Sequence, residues 1–221
     1  MPVSTLGLLA GDLLGGAGDV LVAFEEGYES VLTVAAEQLG NSGLNGLVFV
    51  STQMLGRPGY LSEDQVRLLL GMGLVVGSKG VEVGCLSGLA LGELRRQLRD
   101  SRQRLESLVR YPVRFVCLPS GRVDSRLIEE AQRAGYRRVL GSQPGLVATS
   151  GPVPHELRRF CVTEQTSPER VEELCLGRGK AVAAAMLRHR LADAPRLLLG
   201  DDGFEAARST LSVIRRSLKR G

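Results

Sequence analysis

Two adjacent carboxylates, Glu25 and Glu26, stand directly after the apolar run at residues 20–24 (VLVAF). Carboxylates side by side repel each other unless a proton or a cation lies between them. The pair therefore marks either a solvated turn or a site that holds positive charge. A second polar stretch, Ser78-Lys79-Gly80-Val81-Glu82-Val83, ends the apolar run at 74–78. A third, Pro119-Ser120-Gly121-Arg122, follows the run at 114–118. The chain has two histidines, His155 and His189, and no HxxxH pair. Its four cysteines (Cys85, Cys117, Cys161 and Cys175) form no CxxC pair. A catalytic zinc takes three protein ligands plus an open position, and no such set is spaced for it here. Glu25, Glu26, Glu82 and Cys85 would combine hard and soft donors at no familiar spacing. The reading is therefore no metal and no cofactor.

The elements that must position these residues alternate. Strands are expected at 20–24, 46–50, 74–78, 114–118, 137–141 and 157–162. Helices are expected at 28–39, 63–72, 90–110, 124–134 and 168–176, the last opening a helical C-terminal region. Ser62 and Gln65 have the spacing of a capping box for the helix at 63–72. Leu91, Leu94, Leu98, Leu105 and Leu108 form the apolar stripe of the longest helix. Repeated strand–helix units imply a parallel sheet, closed or doubly wound, with function at the C-terminal strand ends. That is where all three polar stretches fall.

Composition narrows the function. The 221 residues are 43% hydrophobic, enough for a large core, while aromatics are 4% with no Trp. This weighs against an aromatic stacking platform. Ten Lys and Arg against four Asp and Glu in residues 178–221 give +6; the rest, with 18 basic and 20 acidic residues, carries −2. Basic character confined to the tail excludes a nucleic-acid footprint over the body. Phe204, Ala207, Leu211, Ile214 and Leu218 recur at helical spacing beside Arg208, Arg215, Arg216, Lys219 and Arg220. This basic amphipathic helix at 204–220 either packs on the barrel or contacts a protein partner or an anionic membrane surface. Unpaired cysteines, no basic segment before the apolar N-terminus and no long uncharged run give a cytoplasmic expectation.

In their order and spacing the three stretches resemble the polysaccharide deacetylase family, also called the NodB homology domain or carbohydrate esterase family 4. The family's TFDDG motif matches Ala23-Phe24-Glu25-Glu26-Gly27. Its HSxxH or HTxxH motif falls on Lys79 to Val83, and its Pro-containing loop on Leu118-Pro119-Ser120-Gly121. Phe49-Val50 followed by Gly56-Arg57-Pro58-Gly59-Tyr60-Leu61-Ser62 is similar to the family's "FFV…GKPGYLTWDQV" stretch, and the likeness covers residues 18–165. It implies a distorted (β/α) barrel that removes acetyl groups from sugars through a metal-bound water. The metal would be held by the second Asp and two His, with the first Asp as general base and a late His as general acid. Carried over, Glu25 takes the base position and Glu26 the metal-binding Asp position. Lys79 and Val83 stand where the two histidines would be, and Ser120 replaces an aromatic residue. Without the ion nothing lowers the pKa of an attacking water to about 7.

The expectation is an α/β chain: a distorted (β/α) barrel of the polysaccharide-deacetylase type at 1–165, with a helical, basic extension at 166–221 packed on it. Glu25 keeps a degenerate base position, and Glu26, Lys79, Glu82, Pro119, Ser120 and Arg122 line the groove. A Lys79–Glu26 salt bridge stands in for the ion; at about 4 Å such a pair is worth on the order of 4 kcal/mol before desolvation. The function expected is that of a catalytically inactive polysaccharide deacetylase-like domain acting in carbohydrate binding or polysaccharide metabolism, with a saccharide as ligand. Two alternatives remain open: a hydrolase of acetylated sugars using Glu25 and Glu26, and an interaction protein using the basic C-terminal helix.

Overall fold

The computed structural model describes residues 6–9, 20–83, 86, 89–118, 123, 125–147 and 154–191. Six parallel strands form its centre in the order β7-β6-β5-β4-β3-β2. They are β2 (Leu21–Phe24), β3 (Asn45–Val50), β4 (Val75–Ser78), β5 (Phe115–Cys117), β6 (Arg138–Leu140) and β7 (Glu156–Leu157). β1 (Leu6–Leu9), which hydrophobic periodicity does not reveal, adds antiparallel to β2, and β8 (Cys161–Val162) adds antiparallel to β1.

The strand order itself shows that the sheet curls. β7 and β8 lie at opposite edges of the eight-stranded order, yet only Arg158, Arg159 and Phe160 separate them. Fully extended, that link spans about 14 Å, whereas eight strands laid flat would be about 34 Å wide. The edges must therefore approach each other, and the sheet is a (β/α) half-barrel bridged by the chain. For the same reason 157–162 is not the single strand expected: its two ends serve different edges.

Side chains alternate across the strands. Leu21, Ala23, Leu47, Phe49, Cys117, Leu140 and Leu157 fill the barrel interior. Val22, Phe24, Val48, Val50, Val76, Val116 and Val139 face outward into the helical layer, against Val66, Leu94, Leu98, Leu105 and Leu127. That layer contains α2 (Glu63–Gly71), α3 (Leu91–Val109) and α4 (Ser125–Arg133). The capping box forms as expected: Gln65 N donates to Ser62 Oγ at 3.2 Å and Ser62 N to Gln65 Oε1 at 2.7 Å. The helix expected at 28–39 instead starts late, as a π turn at Val31–Ala35 followed by α1 (Ala36–Asn41). Tyr28 and Glu29 are tied down elsewhere: Tyr28 bridges Tyr60, and Glu29 N donates to Gly59 O at 3.0 Å. Beyond the sheet, Leu174 of α5 (Pro168–Cys175) and Ala181 of the helical stretch 180–191 pack on Phe160. The 204–220 segment lies outside the described residues. No helix among the described residues is long and apolar enough to cross a membrane.

One glycine sets the interior packing beneath the strand ends. A Cβ on Gly77 would lie 2.6 Å from Phe49 Cδ1 and Cε1. Gly77→Ala is expected to lower stability by about 1–3 kcal/mol through overpacking, read as a drop in urea midpoint with an unchanged slope.

Candidate functional site

The period-two alternation that sends Leu21 and Ala23 inward carries Glu25 to the same face, one step past β2. Phase likewise places Lys79 with Val75 and Gly77, one step past β4. Both side chains thus enter the barrel mouth, at the C-terminal strand ends. Lys79 Nζ donates to Glu25 Oε2 at 2.8 Å and also contacts Glu26 Oε1. The expected Lys79–Glu26 pair therefore forms, and Glu25 joins it. Arg159, which sequence reasoning missed, supplies a second cation: its Nη1 pairs with the other Glu25 oxygen, Oε1. Arg159 is placed by the link between β7 and β8, its Nε donating to Gly141 O at 2.8 Å and its backbone N to Gln143 O at 3.0 Å. The one sequence signal for it was a pair of arginines, Arg158 and Arg159, between Leu157 and Phe160 in a run expected to be a strand.

The result is a chain of alternating charges, Glu26–Lys79–Glu25–Arg159, with no net charge. The Lys79 and Arg159 side chains are each 3% exposed, Glu25 10% and Glu26 22%. Burial pushes the Glu25 carboxyl up, but Arg159 and Lys79 together outweigh it and hold the group below its ordinary value of 4.5. Burial likewise pulls Lys79 down, and Glu25 followed by Glu26 reverses this and holds it above 10.5. Burial pushes the Cys117 thiol up to about 12. It stays a protonated core thiol, neither nucleophile nor thiolate ligand.

The backbone here is constrained. Glu26 has φ 73° and Gly27 φ 66°, so a non-glycine residue occupies the left-handed region, a strain of order 1–3 kcal/mol that gathers at functional sites. Leu61 N donates to Gly27 O at 2.9 Å and ties this turn to the 56–61 loop. The loop after β4 is held from α3: Gln97 Oε1 accepts from Val81 N and Glu82 N at 2.9 and 3.0 Å. Below it, Ser78 Oγ donates to Ser101 Oγ at 2.9 Å, and Tyr136 lies 3.2 Å from Ser101.

Other sequence candidates go elsewhere. Glu82 pairs with Arg96 of α3 at 3.1 Å, on the exposed side of the loop. Val83 is 52% exposed and has no donor atom. His155 stands before β7, with Nδ1 3.3 Å from Arg137 O at the N-terminal end of the strands, opposite the carboxylates. Pro119, Ser120, Arg122 and Cys85 lie outside the described residues.

A divalent metal does not fit this donor set. The Lys79 ammonium, a donor with no free lone pair, already contacts both carboxylates. An added ion would bring two further positive charges into a cluster that is already neutral. Among the described residues no three His, Cys, Asp or Glu side chains are grouped to hold one.

Residues 15–139 match the sequence model of the Polysaccharide deacetylase family. The match covers more than half of the chain, which belongs to that family. YxkH of Bacillus subtilis (strain 168) is 22% identical over 126 residues, 57% of this chain and 45% of YxkH. The chain thus spans less than half the length of that relative. Among solved structures, the deacetylase PplD of Streptococcus pyogenes, in complex with acetate, superposes with a TM-score of 0.63 at 18% identity, over 69% of this chain and 68% of PplD. IcaB from Ammonifex degensii gives 0.60 at 20% identity, over 71% of each chain. At these identities the superpositions establish the (β/α) barrel fold.

Two expectations follow from the charge cluster. Lys79→Met leaves buried carboxylate charge poorly compensated, and should cost about 3–5 kcal/mol in urea unfolding. Because the folded-state pKa of Glu25 is depressed, its contribution to stability is complete above pH 4.5 and is lost as pH falls through the lower folded value. Unfolding free energy measured from pH 7 down to 3 should therefore fall less steeply in Glu25→Gln than in the parent.

Proposed function

We propose that this chain uses a polysaccharide-deacetylase barrel to bind a saccharide without hydrolysing it. The observation that carries the reading is the Lys79 ammonium seated between Glu25 and Glu26, where the family motifs place a metal ion. A hydrolase of this family depends on a water acidified by that ion, and an ammonium supplies no coordination site to acidify one. An acid–base mechanism built on the two carboxylates alone is disfavoured for a separate reason. Lys79 and Arg159 hold Glu25 ionised, so near neutral pH it has no proton to donate as a general acid, and as a base both of its oxygens are already engaged in ion pairs. The exposed fraction of Glu26 and the strand-end loops remain as the binding surface.

The test is a deacetylation assay on acetylated chito-oligosaccharides with added Zn²⁺, Co²⁺ or Mn²⁺, beside metal analysis of the purified chain and saccharide binding by calorimetry. Expected are acetate release no greater than that of Glu25→Ala, less than one equivalent of bound metal, and measurable saccharide binding. A stoichiometric divalent ion, or metal-stimulated acetate release that Glu25→Ala abolishes, would overturn the proposal.

A further inference from the structure

A cavity of about 340 Å³ opens beyond the family-matched residues, between the 142–144 segment, the β7–β8 link, α5 and the 180–191 helix. Its lining includes Arg159, Arg170, Arg188, His189, Thr163 and Thr166, with no Asp or Glu among the described residues. Three guanidinium groups around one concavity, with no carboxylate in its lining among the described residues, repel one another and attract anions. Arg159 is committed on one side to Glu25. Among the described residues, neither Arg170 nor Arg188 pairs with a carboxylate. Arg188 Nε donates to Ala184 O at 3.3 Å. Arg170 Nη2 is buried without an acceptor, although buried charged donors are ordinarily satisfied. The hydroxyls of Thr163 and Thr166, 3.4 Å apart, border the same space and donate or accept as needed. The volume is at the small end of the range for small-molecule sites.

We infer that this cavity is a binding site for a small molecule bearing an oxyanion, a phosphate or a carboxylate, gripped by Arg170 and Arg188. Guanidinium matches both anions through paired N–H···O bonds. Among the described residues, the cavity touches the strand-end carboxylates through Arg159 alone, and the anion is gripped by Arg170 and Arg188, so its test stands whether or not the barrel hydrolyses anything.

The full chain is titrated by calorimetry with inorganic phosphate, with glucuronate and with neutral glucose, and the titrations are repeated at raised NaCl. Saturable binding of phosphate or glucuronate at millimolar concentration or below is expected, weakened by salt and absent for glucose. Which of the two anions binds distinguishes a phosphate from a carboxylate ligand. Arg170→Gln and Arg188→Gln should each weaken binding about tenfold or more, and R170Q/R188Q should abolish it. Thermal melts check that each variant is folded; if the double variant is not, the single variants decide. Absence of saturable binding by either anion, glucose binding as tightly as glucuronate, or undiminished anion binding in the folded variants would each overturn the assignment.

Discussion

A buried ammonium between two carboxylates imposes strict terms on whatever surrounds it. Removing these charges from water costs several kcal/mol per ion, and only close, well-directed partners return it. Here each Glu25 oxygen meets a different cation, Lys79 on one side and Arg159 on the other. Glu26, the most exposed of the four, terminates the chain of charges toward solvent. The arrangement holds only if β2, β4 and the β7–β8 link keep their relative places. The charge cluster and the barrel geometry are thus a single constraint seen from two sides.

The supporting parts follow from that constraint. Glycine at position 77 lets Phe49 pack directly under the mouth. Gln97 and Ser101 of α3 satisfy the backbone and side chains around the end of β4, so the loop carrying Lys79 is anchored from outside the sheet. The Gly27–Leu61 hydrogen bond does the same for the turn carrying the two glutamates. Rigid placement of this kind preorganises a site, whether for binding or for chemistry.

Much of this was legible in the sequence, for reasons specific to each residue. The apolar runs before Glu25 and Lys79 announce strands, and strand alternation alone turns both residues inward. The Ser62–Gln65 spacing announces its capping box because that interaction is local. Arg159 was not legible, because its role depends on which edge of the sheet its segment crosses, and nothing within 157–162 encodes that. The partner of Glu82 was not legible for a related reason: it shares a loop with Lys79, but pairs with Arg96 on α3, 14 residues away. The start of α1 was displaced by Tyr60 and Gly59, partners about 30 residues away that no helical period records.

The link between β7 and β8 also orders events in time. Glu25 meets Lys79 across 54 residues of chain and Arg159 across more than twice that distance. At ordinary synthesis rates of about 5–20 residues per second, the second cation emerges roughly 7–27 s after the carboxylate it neutralises. Until then the mouth of the sheet carries an excess of negative charge and open strand edges. Bridging of those edges and neutralisation of the interior are therefore one late event, and a nascent chain cut short before residue 159 lacks both.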